Sequence, residues 1–174
     1  VQINDSACVT SKTFSLNQSA PVALTLVSKT DVLCNGGATG SISTTGNNGN
    51  PVYSFLWNNG LTTATAQNLI AGTYTVTVTD AIGCTASASY SISEPTALNS
   101  NITNTTGVSC QANDGQATVS ASGGVGPYIY LWNNGVTSAN CTGLSLGNFT
   151  VTVTDNHGCT SIKTGSLSAI PSLT

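Results

Sequence analysis

The chain has 174 residues with three lysines, no arginine, six acidic residues and one histidine, a net charge of −3. Nucleic-acid binding needs Lys or Arg to neutralise phosphates, so so few cations exclude it, and disorder driven by high charge is excluded as well. No apolar run approaches the roughly 18 residues of a membrane span, and no basic-plus-apolar signal segment opens the sequence.

In chain order the first feature is an echo. Val1-Gln2-Ile3-Asn4-Asp5 anticipates Val76-Thr77-Val78-Thr79-Asp80, which recurs as Val151-Thr152-Val153-Thr154-Asp155. Cys8, Phe14 and Leu16 likewise anticipate Cys84, Tyr90 and Ile92. Self-similarity at a fixed period is the signature of a repeat architecture. Residues 1–21 therefore read as an N-terminal strand segment, either the tail of a preceding repeat or a donor strand. The chain has no methionine, even at position 1, and is expected to be a processed or excerpted piece of something longer.

Two full copies of about 75 residues follow, at 22–96 and 97–174. In the first, strands are predicted at 22–28, 39–45, 52–57, 61–69 (in two short pieces), 73–80 and 84–93. Gly72 to Asp80 alternates, with Tyr74, Val76 and Val78 on one face and threonines on the other, the pattern of a half-buried strand. Tyr53, Phe55 and Trp57 form an aromatic strand, and Asn59-Gly60 is a strong tight-turn dipeptide. Glu94-Pro95 closes the module, because Pro cannot continue a ladder. The second copy follows by adding about 75: Tyr128, Tyr130 and Trp132, then Asn134-Gly135, Phe149 and Val151. About seven short strands per copy, with no helical spacing, predict an all-β chain of two tandem Ig-like antiparallel sandwiches. Trp57, Trp132, Tyr53, Tyr128, Tyr74 and Phe149 are its expected aromatic core rather than a sugar-stacking platform.

A module of this size buries only about 60% of its chain surface and is marginal alone. Six cysteines, with no metal-ligand spacing, point to disulfides and an oxidising, extracellular setting. Cys8, Cys84 and Cys159 form one repeat class, Cys34 and Cys110 another, and Cys141 has no counterpart. Two schemes respect that symmetry. One pairs Cys34–Cys84 and Cys110–Cys159 within modules and leaves Cys8 and Cys141 over, as an intrachain bond, as free thiols or as a staple between subunits. The other pairs Cys8–Cys34 and Cys84–Cys110 across borders, with Cys141–Cys159 inside the second module. The first is preferred, since each module could then fold alone, stabilised by about 4 kcal/mol from closing a loop of roughly 50 residues.

Ser, Thr and Asn make up 68 residues, so solubility must come from hydroxyls, amides or attached sugar. Sequons stand at Asn4, Asn17, Asn101, Asn104, Asn140 and Asn148, and Asp5-Ser6-Ala7 resembles an O-glycosylation motif of Bacteroidota, making Ser6 a further candidate. Covalent glycans are the modification expected; no cofactor is. Asp80 and Asp155 precede Gly-Cys turns and read as turn caps, because a calcium site wants several carboxylate oxygens. His157 is a lone turn histidine opposite an apolar counterpart, Ile82. No constellation of acid, base and nucleophile exists, so the chain is not expected to be an enzyme.

Cys34-Asn35-Gly36, Thr39-Gly40-Ser41-Ile42, the Tyr53 to Gly60 block, Leu69 to Asp80, Gly83-Cys84 and Glu94-Pro95 together resemble the SprB-type repeat. The second copy matches from Cys110 to Cys159 and departs at Ala169-Ile170-Pro171. The resemblance implies a secreted, repetitive protein of the cell surface, as in the long adhesins of Bacteroidota, and no particular ligand. Three functions are compatible with it. The first is a filament subunit whose residues 1–20 add a strand to a neighbouring copy. The second is a stalk segment of a giant adhesin. The third is a carbohydrate-binding or ice-binding module. Expected partners are copies of itself or neighbouring repeats, and surface glycans.

Overall fold

The computed structural model describes residues 20–109 and 113–170 in full, and the backbone of 2–5 and 8–11. The described residues contain strands and no α-helix. β1 (Gln2–Asp5) and β2 (Cys8–Ser11) pair antiparallel with each other, Gln2 opposite Ser11 and Asp5 opposite Cys8. Within the N-terminal segment the described residues thus form a two-stranded antiparallel pair.

The first module holds β3 (Ala23–Thr30), β4 (Gly40–Asn47), β5 (Ser54–Trp57), β6 (Thr65–Leu69), β7 (Gly72–Thr79) and β8 (Thr85–Ile92). They form two antiparallel sheets, ordered β3-β4-β6 and β5-β7-β8. The second repeats the plan with β9 (Asn99–Thr106), β10 (Gly115–Ser122), β11 (Ile129–Trp132), β12 (Asn140–Leu144), β13 (Gly147–Thr154) and β14 (Thr160–Leu167), ordered β9-β10-β12 and β11-β13-β14. The chain is all-β, with two Ig-like sandwich modules.

Period-two alternation builds each core. Tyr74, Val76 and Val78 on β7, and Phe149, Val151 and Val153 on β13, are buried. The intervening threonines of β7 face outward and pair with serines of β8: Thr75 and Ser89 hydroxyls lie 2.8 Å apart, as do those of Thr77 and Ser87. Such cross-strand hydroxyl pairs add modestly to sheet stability. Trp57 and Trp132 are each 1% exposed, opposite Val76 and Val151. Their indole N–H groups donate to Thr63 and Ser138 carbonyls at 2.9 Å, which a buried Trp requires. Tyr53 and Tyr128 are half-buried; their hydroxyls donate to the carbonyls of Asn48 and Gly123.

Among the described residues each module has six strands, not seven. Residues 61–64 do not form the first piece of the expected pair. After Trp57 the chain turns, with the Gly60 N–H donating to the Trp57 carbonyl at 2.9 Å and Gly60 at φ +87°. The turn leads not to a hairpin partner but across to the other sheet, where β6 pairs with β4. The indole bond to Thr63 takes up one carbonyl of the crossing segment.

Candidate functional site at the module junction

Three local structures converge where the modules meet. The first is the loop between β3 and β4. Val32 is buried and its N–H donates to the Ser93 carbonyl at 2.9 Å. Lys29 Nζ meets Asp31 Oδ1 at 2.8 Å and the Ser91 carbonyl at 3.0 Å. Asp31 in turn accepts the Ser93 N–H at 2.9 Å. The Lys29 ammonium, and then the Ser93 N–H, hold the Asp31 carboxyl down to about 2. Beyond Val32 the loop is tied to the module's closing pair: Gly36 N–H donates to Glu94 Oε2 at 2.6 Å and Asn35 Nδ2 to the Pro95 carbonyl at 3.0 Å. Cys34 is therefore fixed at the exit end of the first module.

The second structure is the turn between β13 and β14. Asp155 is buried, 4% exposed, and accepts three backbone N–H groups: Val125 on Oδ2, and His157 and Cys159 on Oδ1, each at 2.9 Å. Burial opposes its ionisation, but those N–H groups and the nearby His157 charge outweigh it, and the carboxyl titrates below the usual range. Asp80 does the same in the first module, with Asn50 on Oδ2 at 3.0 Å and Ile82 and Cys84 on Oδ1 at 3.1 and 2.8 Å. The Asn50 N–H leads in lowering its pKa. Both carboxylates are engaged as turn caps. Among the described residues no group of three or more His, Cys, Asp or Glu side chains could hold a metal.

The third structure is the linker. Gly124 N–H donates to the Thr96 carbonyl at 2.8 Å, and a Cβ on Gly123 would lie 2.0 Å from the Ala97 carbonyl oxygen. The linker is pressed directly onto the entry end of the second module.

These pieces bring Cys34 and Cys159 together as a disulfide across the junction, Cα–Cα 5.6 Å. His157 Nδ1 lies 3.1 Å from the Leu33 carbonyl oxygen, a contact that requires that nitrogen to carry the proton. A cleft of about 370 Å³ borders the bond, lined by Cys34, Asn35, Ala97, Leu98, Gly158, Cys159 and Thr160.

This pairing corrects both schemes drawn from repeat symmetry. Cys84 precedes β8 and the Cys34 loop is tied to residues that follow it. Eight strand residues at about 3.3 Å each separate the two by roughly 26 Å, far beyond the 4.4–6.8 Å that a disulfide spans between Cα atoms. Cys159 is engaged by Cys34, which removes both Cys110–Cys159 and Cys141–Cys159. Cys84 stands at the entry end of the first module, away from the junction, and Cys110 lies outside the described residues. Cys141 is 1% exposed within the second core and occupies the place of buried Ala66, opposite Ala117 as Ala66 is opposite Ile42. It behaves as a small hydrophobe, with burial pushing its thiol pKa up. It is out of reach of Cys159 and of a staple to another subunit. Cys84 is an exposed free thiol.

Other expected sites are scattered. Asn101, Asn104, Asn140 and Asn148 are exposed on strands. The side chains of Asn4, Ser6, Cys8, Asn17 and Cys110 lie outside the described residues. Two contributors escaped sequence reasoning. His157 bridges the modules rather than merely occupying a turn, and Glu94 braces the Cys34 loop; for Glu94 the Glu-Pro pair closing the first module was an available signal.

The SprB repeat family model matches residues 26–62 and 102–137. Each module thus contains a stretch that matches the SprB repeat. Each match runs from the first strand of a module through its Asn-Asn-Gly turn, and both include a cysteine of the Cys34 class. No curated protein sequence matches the chain significantly. Among solved structures, "Structural basis for Dscam isoform specificity" is similar at 12% identity and TM-score 0.37, covering 87% of this chain and 46% of that one. "Structure of amphioxus IgVJ-C2 molecule" is similar at 12% identity and TM-score 0.32, covering 87% and 98%. The chain spans under half the length of the first; neither likeness bears on function. SprB repeats and an Ig-like fold are those of an extracellular, adhesin-type repeat, and such modules are typically structural rather than enzymatic. Among the described residues no helix is long and apolar enough to cross a membrane.

Proposed function

We propose that this chain is a structural segment of a bacterial surface fibre, forming or extending it through head-to-tail contacts between modules and addition of the N-terminal hairpin to a neighbouring sheet edge. The observation that carries the reading is the covalent tie from the exit end of one module to the entry end of the next. A linker alone would leave two small domains free to swing; the tie makes them one link of fixed direction. β1 and β2 form a two-stranded sheet of their own. An outer edge of that sheet is suited to β-augmentation of a second copy, and a head-to-tail contact that does not close yields an open filament. The surface is expected to carry covalent glycans, with the exposed Asn101, Asn104, Asn140 and Asn148 and the N-terminal Asn4, Ser6 and Asn17 as acceptors.

The same tie serves a passive stalk within a giant adhesin, whose spacing role needs stiffness between modules. A sugar-stacking role has lost its platform, because both tryptophans are buried. Negative-stain microscopy of the purified chain, with and without residues 1–20, tests the proposal. Regular filaments from the whole chain and folded, dispersed modules from the truncated one are expected. Filaments persisting in the truncation would remove the hairpin from the mechanism, and dispersed rods from both would favour the stalk.

A further inference from the structure

The Cys34–Cys159 bond is one instance of a rule that the repeat can apply again. Within the first module Cys34 and Cys84 lie at opposite ends, so a bond between their classes runs from the exit end of one repeat to the entry end of the next. Among the described residues that rule is satisfied once, and Cys84 at the other entry end is a free thiol.

That end is built like the one already engaged. Cys84 and Cys159 close turns of the same geometry: the Asp80 and Asp155 N–H groups donate to the Cys84 and Cys159 carbonyls at 2.9 Å, and Gly83 and Gly158 N–H to Asp80 and Asp155 carbonyls at 3.1 Å. Gly83 and Gly158 stand at φ +88° and +82°. The surrounding surface repeats too. Gly49 N–H donates to the Ala20 carbonyl at 2.9 Å as Gly124 does to Thr96, and Ala81 N–H meets the Asn50 carbonyl as Asn156 meets Val125. Ile82, in the place of the bridging His157, is 66% exposed. The sulfur of Cys84 is therefore presented as that of Cys159 is, and the residue beside it offers an apolar contact to an incoming loop.

We propose that Cys84 forms a disulfide with the Cys34-type cysteine of a second copy of this chain, so that copies are joined end to end by the bond that joins the two modules. Cys34 is already engaged; in the sequence the remaining member of its class is Cys110. The reaction is thiol–disulfide exchange with an organic disulfide as oxidant. The Cys84 thiolate attacks one sulfur of the oxidant and expels a thiolate. The incoming cysteine's thiolate then attacks the Cys84 sulfur of that mixed disulfide and expels the second. Two protein thiols lose two electrons and two protons, and the oxidant is reduced to two thiols. The bond deepens the proposed end-to-end assembly and rests on it.

The test oxidises the whole chain in a glutathione buffer, followed by non-reducing electrophoresis and mass spectrometry of cross-linked peptides. A reductant-sensitive ladder of oligomers is expected, with Cys84 joined to Cys110 and the Cys34–Cys159 bond intact. Cys84→Ser and Cys110→Ser should each reduce the ladder to the level of the chain carrying both substitutions, while peptide mapping still shows Cys34–Cys159. Cys84 recovered as a thiol, or joined to any cysteine but Cys110, overturns the proposal. Microscopy of the same sample separates the two readings: filaments whose Cys84 remains a thiol would refute the bond and leave end-to-end assembly standing.

Discussion

The carboxylate of Asp155 accepts the backbone N–H of Cys159 at 2.9 Å, so the residue that caps the turn also aims the sulfur that joins the modules. A buried cap and a covalent tie share one carboxylate. Asp155→Ala leaves the N–H groups of Val125, His157 and Cys159 without their acceptor, which is costly for buried donors. The melting temperature of the chain should fall by at least about 5 °C, and the share of Cys34–Cys159 formed in a fixed glutathione buffer should drop. Asp80→Ala should lower the melting temperature without moving that redox equilibrium, because its turn carries a free thiol.

The depressed carboxylates set the acid limit. Asp31, Asp80, Asp114 and Asp155 all titrate below the ordinary aspartate value in the folded chain. A group lowered in this way stabilises the fold above its unfolded pKa of about 3.9 and loses that contribution as pH falls through its folded value. Stability should thus be flat from pH 7 to about 5 and decline between about 4 and 2. Circular dichroism melts across that range give the measurement, and Asp31→Asn should flatten the lowest part of the decline.

Phe149 lies directly opposite Gly165 across β13 and β14. A Cβ on Gly165 would come within 2.3 Å of the ring's Cζ, so the glycine makes room for a side chain packed against Trp132, with ring centroids 5.7 Å apart. The first module uses a different solution, Tyr74 opposite Tyr90. Gly165→Ala should destabilise the second module by about 1–3 kcal/mol, the usual cost of overpacking, readable by urea denaturation.

The two cores are separate clusters, one around Trp57 and one around Trp132. Trp132→Ala should cost about 3–5 kcal/mol, enough to unfold a small marginal module. Trp57, then the only tryptophan left, should keep its native emission. Loss of the Trp57 signal as well would mean that the modules fold as one unit.

Much of this was legible in residue patterns. The alternation of Tyr74, Val76 and Val78 names both the strand and the face it buries, and its recurrence at Phe149, Val151 and Val153 gives the second module. The aromatic strand before Asn-Asn-Gly was equally plain. What the turn does next was not, because Asn59-Gly60 reports a local reversal and not which sheet receives the chain; that depends on the indole of Trp57 reaching Thr63. Repeat symmetry sorted the cysteines into classes but not into pairs. The missing element was position along the module. Cys84 stands before an eight-residue strand and Glu94-Pro95 after it, and that spacing already places the two classes at opposite ends. Cys141 looked like a spare thiol because it has no cysteine counterpart, although the 75-residue offset already places it on Ala66.

The disulfide also decides how the pair answers tension. A pull applied at Val22 and Ile170 travels along β3 to Cys34, crosses the sulfurs to Cys159 and leaves along β14. The residues between the two cysteines, a span of 125 positions, are mechanically bypassed. Even fully torn open, the pair can reach no further than the contour of the roughly 25 residues outside that bypass, about 90 Å at about 3.5 Å per residue. Reduced, the same stretch could pay out roughly 500 Å. The single bond thus turns an extensible tether into a nearly inextensible one.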